Sequence, residues 1–233
     1  MARKQRKVVL VIVEGPSDET ALAQSFAALF DPDEVIVEVV HGDVTADIRA
    51  NPSNIVSCVG NLVKGWASRY GIRRPDFLRV IHMTDTDGAY IPDANVIEDI
   101  GHKGHPLYDE TNIVASPTSK VKERNARKRA NLDRLSSTPS VWGSIPYSVY
   151  YMSCNLDHVL YGTQNSDDAA KRENAFRFAR TYKDDLDGFV GYISDPAIAV
   201  PGDYKETWRF IREGLNSLHR HTNLWLCFKE RPV

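Results

Sequence analysis

The sequence predicts an α/β fold with a central, mostly parallel β-sheet and a helical C-terminal extension. Three observations carry this. Apolar, β-branched runs at 7–13, 34–40 and 77–83 alternate with helical periodicity at 17–30 and 52–70, the order expected of parallel strands joined by crossover helices. The first run, Val8–Val13, is apolar at every position, as a strand covered on both faces must be. Beyond residue 161 the chain reads as helices separated by Gly- and Pro-containing joins. The expected division is therefore a catalytic α/β domain at 7–161 and a helical extension at 162–233 packed on it.

Each element follows from local pattern. In the helix predicted at Ser17–Phe30, Leu22, Phe26 and Leu29 share a face, and Asp18 and Glu19 occupy the first turn, where acids complement the helix dipole. Glu34–Val40 alternates as a second strand. Pro52–Tyr70 carries Ile55, Val59, Leu62, Val63 and Trp66 at helical spacing. Phe77–Met83 is the third strand and runs into Thr84, Asp85, Thr86, Asp87 and Gly88. Residues 90–110 hold Gly, Pro and His without periodicity and read as one long, functional loop. Asn112–Ala115 is a short strand, Pro117–Leu135 a basic helix, Tyr147–Ser153 a strand, and 155–161 the start of a helix. Asp167–Leu186 and Tyr204–Leu218 read as helices joined by Gly188–Gly202. Trp225–Phe228 is a terminal strand or docking segment. Tyr147, Tyr150 and Tyr151, and the stripe Trp208, Phe210, Ile211 and Leu215, read as core.

Composition bounds the possibilities. The 233 residues, 42% hydrophobic and 26% charged, suit one large domain, or one with an appendage, that buries roughly 70% of its unfolded surface. No run approaches the roughly 20 apolar residues of a membrane helix. The basic start is followed by an apolar run that ends at Glu14, too short for a secretion signal. Cys58, Cys154 and Cys227 make neither a disulfide framework nor a zinc pattern. A cytoplasmic protein is expected. A net charge of −2 argues against a globally basic nucleic-acid coat, yet seven basic residues fall between Lys120 and Arg134.

The chemistry lies in the acids. Functional groups of open α/β sheets gather beyond the carboxyl ends of the strands, where Glu14 follows the first strand and Asp85 and Asp87 follow the third. Residues two apart on an extended chain point the same way, so Asp85 and Asp87 are expected to present both carboxylates to one point. If the two strands are neighbours, three carboxylates meet at one sheet edge, and such crowding calls for protons or a cation. A hard divalent ion, Mg2+ or Mn2+, suits oxygen ligands, and phosphodiester hydrolysis is chemistry such ions support.

The stretch Val11, Ile12, Val13, Glu14, Gly15, Pro16, Ser17, Asp18, with the distal Asp85, Thr86, Asp87, resembles the Toprim family, and most closely its overcoming-lysogenization-defect (OLD) nuclease branch. The resemblance spans roughly residues 7–161. It implies a compact Rossmann-like Toprim fold, catalytic Glu14, Asp85 and Asp87, and magnesium held by these with Asp18. It also implies an acid after a later strand, for which Asp157 is the counterpart. Here the chain departs from the family, which has Ser and Glu where Asn155 and Asp157 stand. The family places a lysine near the scissile phosphate; Lys120, Lys122 and Lys205 are the candidates. No Gly-x-x-x-x-Gly-Lys-[Ser/Thr] motif is present, so ATP-driven control would come from a separate ATPase or regulatory subunit. Small proteins of this branch resemble effectors of anti-phage defence.

The basic helix supplies candidate nucleic-acid contacts at Lys120, Lys122, Arg124, Arg127 and Lys128, since phosphate contacts dominate sequence-independent affinity for DNA or RNA. Two rival readings stand beside the nuclease. Asp85, Thr86, Asp87 and Gly88 also resemble the nucleophile motif of haloacid-dehalogenase phosphatases, in which one aspartate attacks phosphorus. A non-catalytic nucleic-acid-binding subunit is the other. His102 and His105 read as loop residues rather than metal ligands, and His158 as packed.

Overall fold

The computed structural model describes residues 6–229, so Arg3 and Lys4 of the basic start lie outside the described residues. The chain is α/β, with a mostly parallel central sheet and eight helices among the described residues. Its elements are β1 (Lys7–Val13), α1 (Pro16–Ala28), β2 (Val35–His41), α2 (Ile55–Tyr70), β3 (Phe77–Asp85), β4 (Val96–Glu98), β5 (Leu107–Tyr108) and β6 (Ile113–Ala115). They continue with α3 (Thr118–Ser136), β7 (Ser140–Val141), β8 (Ile145–Met152), α4 (Leu156–Tyr161), α5 (Asp168–Thr181), α6 (Leu186–Ile193), α7 (Tyr204–Ile211) and α8 (Trp225–Lys229).

The sheet order is β2-β1-β3-β8-β7, with the first four strands parallel and the short β7 antiparallel to β8. The chain leaves β1 toward β2 and returns across it to β3. The strand order therefore reverses between β1 and β3, the place where open sheets form their crevice. Glu14 and Asp85 stand at the carboxyl ends of these two neighbours.

Two apolar layers cover the sheet. Val9, Val11, Val13, Ile81, Met83 and Tyr150 pack with Leu22, Phe26, Phe178 and Phe189 on one face. Leu10, Ile12, Val80, Val149 and Tyr151 pack with Val59, Val63, Leu132 and Trp208 on the other. Alternate residues of β1 serve opposite layers, which is why Val8–Val13 has no polar position. Each such side chain contributes about 1.5–3 kcal/mol on burial. Residues on both sides of position 161 share both layers.

The structure differs from the sequence reading in four places. The stretch expected to be one long loop, 90–110, holds β4 and β5, which join β6 in a three-stranded sheet over a small core of Ile91, Val96, Ile113 and Val121. Strands of two and three residues are too short to show a period. The helix expected at 167–186 stops at Thr181, and Asp185 accepts a hydrogen bond from Gly188 N (2.8 Å) to start α6 inside the expected linker. Gly188 and Gly191 disguise that helix, whose Phe189 and Ile193 are buried. The helix α7 ends at Ile211, ahead of Gly214, whose φ of +53° breaks helical geometry. Residues 225–229 form a short helix rather than a strand. Among the described residues no helix is long and apolar enough to cross a membrane.

Candidate active site

The acids converge on a buried lysine. Lys128 of α3 is fully buried, with Nζ 3.1 Å from Glu14 Oε1 and 2.5 Å from Asp87 Oδ2. The same Glu14 oxygen accepts hydrogen bonds from Thr84 Oγ1 (2.7 Å) and Asp85 N (3.0 Å). Glu14 is thereby tied to the end of β3 by two donors, and the Lys128 ammonium joins it to Asp87.

Asp85 and Asp87 come together by a different route from the pleat expected of an extended chain. Strand β3 ends at Asp85, and Asp87 has φ +50°, in the left-handed region that aspartate tolerates better than most residues. Thr86 N donates to Met152 O and Asp87 N to Cys154 O, at 2.9 and 2.8 Å. Thr86 Oγ1 donates to Ser217 O (2.9 Å) and accepts from Cys154 N (2.9 Å). Gly88 follows at φ +65°, where an added Cβ would lie 2.8 Å from Leu218 Cδ2. The turn is held by the end of β8 and by residues 217–218, which come from the C-terminal segment.

Burial, with the neighbouring Asp43 and Asp87, raises Glu14 from 4.5 to about 7 against the opposing pull of Lys128 and Thr84. Asp85 is pushed well above the carboxylate range by burial and by Glu14, Asp18 and Asp87. Burial pushes Asp87 upward too, but Lys128 and Arg124 outweigh it and hold the carboxyl below its ordinary value. Asp18 rises to about 6, mainly by burial, with Gly15 N donating to its Oδ2 at 2.9 Å. Lys128 is driven well above its usual value because its carboxylate neighbours outweigh the cost of burial.

Above these groups lies a cleft of about 610 Å³ whose lining includes Glu14, Asp43, Asp85, Asp87, Arg124 and Lys171. Asp43 escaped the sequence reading. It follows β2 directly, and the loop is held in place by buried Thr45, whose carbonyl accepts from Asn131 Nδ2 at 3.0 Å. A Gly-Asp pair after a parallel strand was the available signal. The cleft is partly roofed by β5, where Asn165 exchanges two hydrogen bonds with the Tyr108 backbone (2.9 and 2.8 Å).

The basic helix divides its cations. Lys128, read as a solvent-facing phosphate contact, is instead wholly inside. The positions Val121, Asn125, Lys128, Leu132 and Leu135 are spaced 4, 3, 4 and 3 apart and all are buried, a pattern that would have placed Lys128 on the inner face. Arg124 reaches the cleft, donating to Tyr108 Oη (2.8 Å) and Asp87 O (2.9 Å). Arg127 donates to Ala46 O (3.2 Å). Lys120 is exposed and Lys122 half-buried, and neither lines the cleft. Lys205 lines a different cavity. Asp157, in the first turn of α4, is buried and raised chiefly by that burial; it does not line the cleft, whereas Asn155 does. His102 Nε2 donates to His105 O at 2.7 Å within its own loop.

The donor set suits a hard cation. It is entirely carboxylate oxygen, and among the described residues the Asp85 carboxylate accepts no hydrogen bond. An ammonium already stands between Glu14 and Asp87. Among the described residues no group of three His, Cys, Asp or Glu side chains is placed to hold a metal ion. Comparison with family models, curated proteins and solved structures gave no match for this chain.

Proposed function

We propose that this protein is a metal-dependent nuclease of the Toprim type, which hydrolyses phosphodiester bonds of DNA or RNA. The observation that carries the reading is the sharing of Lys128 by Glu14 and Asp87 beside Asp85, at the reversal point of a parallel sheet. A phosphatase working through Asp85 and Asp87 alone would leave Glu14 idle.

The cleft lining includes six carboxylates, from Glu14, Asp43, Asp85, Asp87, Asp167 and Asp168, against Arg124 and Lys171. A polyanion approaches such a surface only with cations between, so Mg2+ or Mn2+ belongs to the reading as much as nucleic acid does. Glu14, Asp85 and Asp87 would hold the ion, with Asp18 close behind them. When bound, it would polarise phosphoryl oxygen and lower the pKa of water. Glu14, near 7, is matched to accept a proton at neutral pH. Lys128 is the lysine nearest the reacting groups, in place of Lys120, Lys122 or Lys205. Arg124 and Lys171 are placed to hold phosphates at the cleft. Asp157 would act on Asp18 and Lys171 from beneath, and exposed Lys120 would extend the path of the strand. Control by a separate ATPase subunit and a role in anti-phage defence belong to the family resemblance alone.

The test is incubation with plasmid, single-stranded DNA and bulk tRNA in Mg2+, Mn2+ or EDTA, beside the Asp85→Ala/Asp87→Ala double variant. Cleavage should require metal and vanish in the variant. Turnover of a small phosphomonoester with no cleavage of nucleic acid would favour the phosphatase, and tight binding without cleavage the non-catalytic subunit.

A further inference from the structure

One cavity is remote from the acids. It has a volume of about 1010 Å³ and lies at the amino ends of β3 and β8, between the sheet, the N-terminus of α7 and α8. Arg79, which lines it, precedes Asp85 by six strand positions, or about 20 Å.

Its lining combines two chemistries. Arg79 projects from β3 on the same face as Ile81 and Met83, half-buried, and its guanidinium meets only Ser148 Oγ at 3.4 Å. Among the described residues Arg79, Lys205 and Lys229 pair with no carboxylate. The one acid in the lining, Asp203, is already engaged, accepting from Glu206 N (2.8 Å) as the cap of α7. A half-buried arginine without a carboxylate keeps guanidinium donors free for an anion. Beside these cations stands an aromatic wall. Tyr150 and Tyr204 meet edge to face at 5.9 Å, and the Tyr204 hydroxyl donates to Val149 O (2.9 Å). The Trp225 indole donates to Val200 O (3.0 Å), and its face carries the Lys229 ammonium at 5.4 Å.

We propose that this cavity binds a free nucleotide, its base against Tyr204 and Trp225 and its phosphate on Arg79, Lys205 and Lys229. An arginine fork matches phosphate oxygens, and fixed aromatic faces stack bases with little ordering cost. The volume suits a whole small molecule and is excessive for bare phosphate. The site does not depend on the nuclease reading.

The full-length protein is titrated with AMP, UMP and ATP in EDTA, followed by calorimetry and tryptophan fluorescence, with adenosine, inorganic phosphate and an octanucleotide as separate arms. Saturable binding of at least one nucleotide is expected, with adenosine and phosphate at least tenfold weaker. Arg79→Gln should weaken binding at least tenfold, and Lys205→Glu, an exposed change that leaves the fold alone, severalfold. Asp85→Asn should leave it unchanged. The proposal is overturned by absence of saturable binding, by phosphate binding as well as any nucleotide, or by an octanucleotide that binds as well and that Arg79→Gln weakens equally. Nucleotide binding that Asp85→Asn abolishes and neither Arg79→Gln nor Lys205→Glu weakens overturns it too.

Discussion

The Lys128 ammonium lies 3.1 Å from the Glu14 carboxylate, from which it is separated by 114 positions in the chain. The contact joins the end of β1 to the middle of α3, and the same ammonium reaches Asp87 on the turn after β3. One buried cation thus gathers three segments around the acids. Its removal, its titration and its neighbours supply the first three expectations below.

Lys128→Met should destabilise the protein by about 3–5 kcal/mol at pH 8 in EDTA, the usual cost of removing one partner from a buried charge pair. The loss should shrink toward pH 5, where Glu14 takes up a proton, and should shrink again when Mg2+ is added. Urea unfolding at the two pH values measures it. A midpoint that does not move at pH 8 would contradict the central place given to this lysine.

The contribution of Glu14 to stability should fall as pH rises from about 4.5 to 7. It opposes that of His82, His158 and His221, which burial lowers to about 4 and which therefore favour the native state as pH rises. The native Glu14 carboxyl titrates at about 7 and its ordinary value is 4.5, so across this window the native state holds the extra proton. Stability declines wherever the native state binds more protons than the unfolded one. Asp18, raised from 3.8 to about 6, adds a fall over its own lower window. The Glu14 contribution is on the order of 2–3 kcal/mol. The stability difference between the native sequence and Glu14→Gln, read from melting curves in EDTA, should show this decline, and a difference that does not change between about pH 4.5 and 7 would contradict it.

Asp43→Asn should move the acidic limb of the cleavage profile to lower pH. Asp43 is one of the charges that raise Glu14, after burial and beside Asp87. Asparagine keeps an acceptor for Ala46 N, which Asp43 Oδ1 meets at 3.2 Å, so the loop should stay in place. A pH–rate profile with an unchanged acidic limb would remove Asp43 from the site.

Thr86→Val should cost about 2–3 kcal/mol, because two buried backbone partners, Cys154 N and Ser217 O, lose their hydrogen bond. Cleavage should fall as well, since this anchor sets the turn that carries Asp87. Loss of stability with full activity would show that the turn holds its geometry without Thr86.

Much of the scaffold was legible locally. The run at 7–13, the helix face of Leu22 and Phe26, and the acids directly after the first and third strands are written in the period of the side chains. The neighbouring of β1 and β3 was left open, because strand–helix–strand order with right-handed crossovers allows β3 beside either β1 or β2; the structure places it beside β1. The short strands at 96–98 and 107–108 were illegible, because two or three residues show no period, and α6 was hidden by its glycines.

The sequence by itself determined an α/β sheet with acids at the carboxyl ends of its strands, because burial on two faces dictates residue type along each strand. Tertiary structure alone decided which cation meets those acids. On the sequence Lys128 is one of seven basic residues in a helix; only the packing of α3 against the sheet turns it inward to Glu14 and Asp87. The left-handed turn at Asp87 likewise rests on Cys154 and Ser217, partners more than sixty positions away that no local pattern specifies.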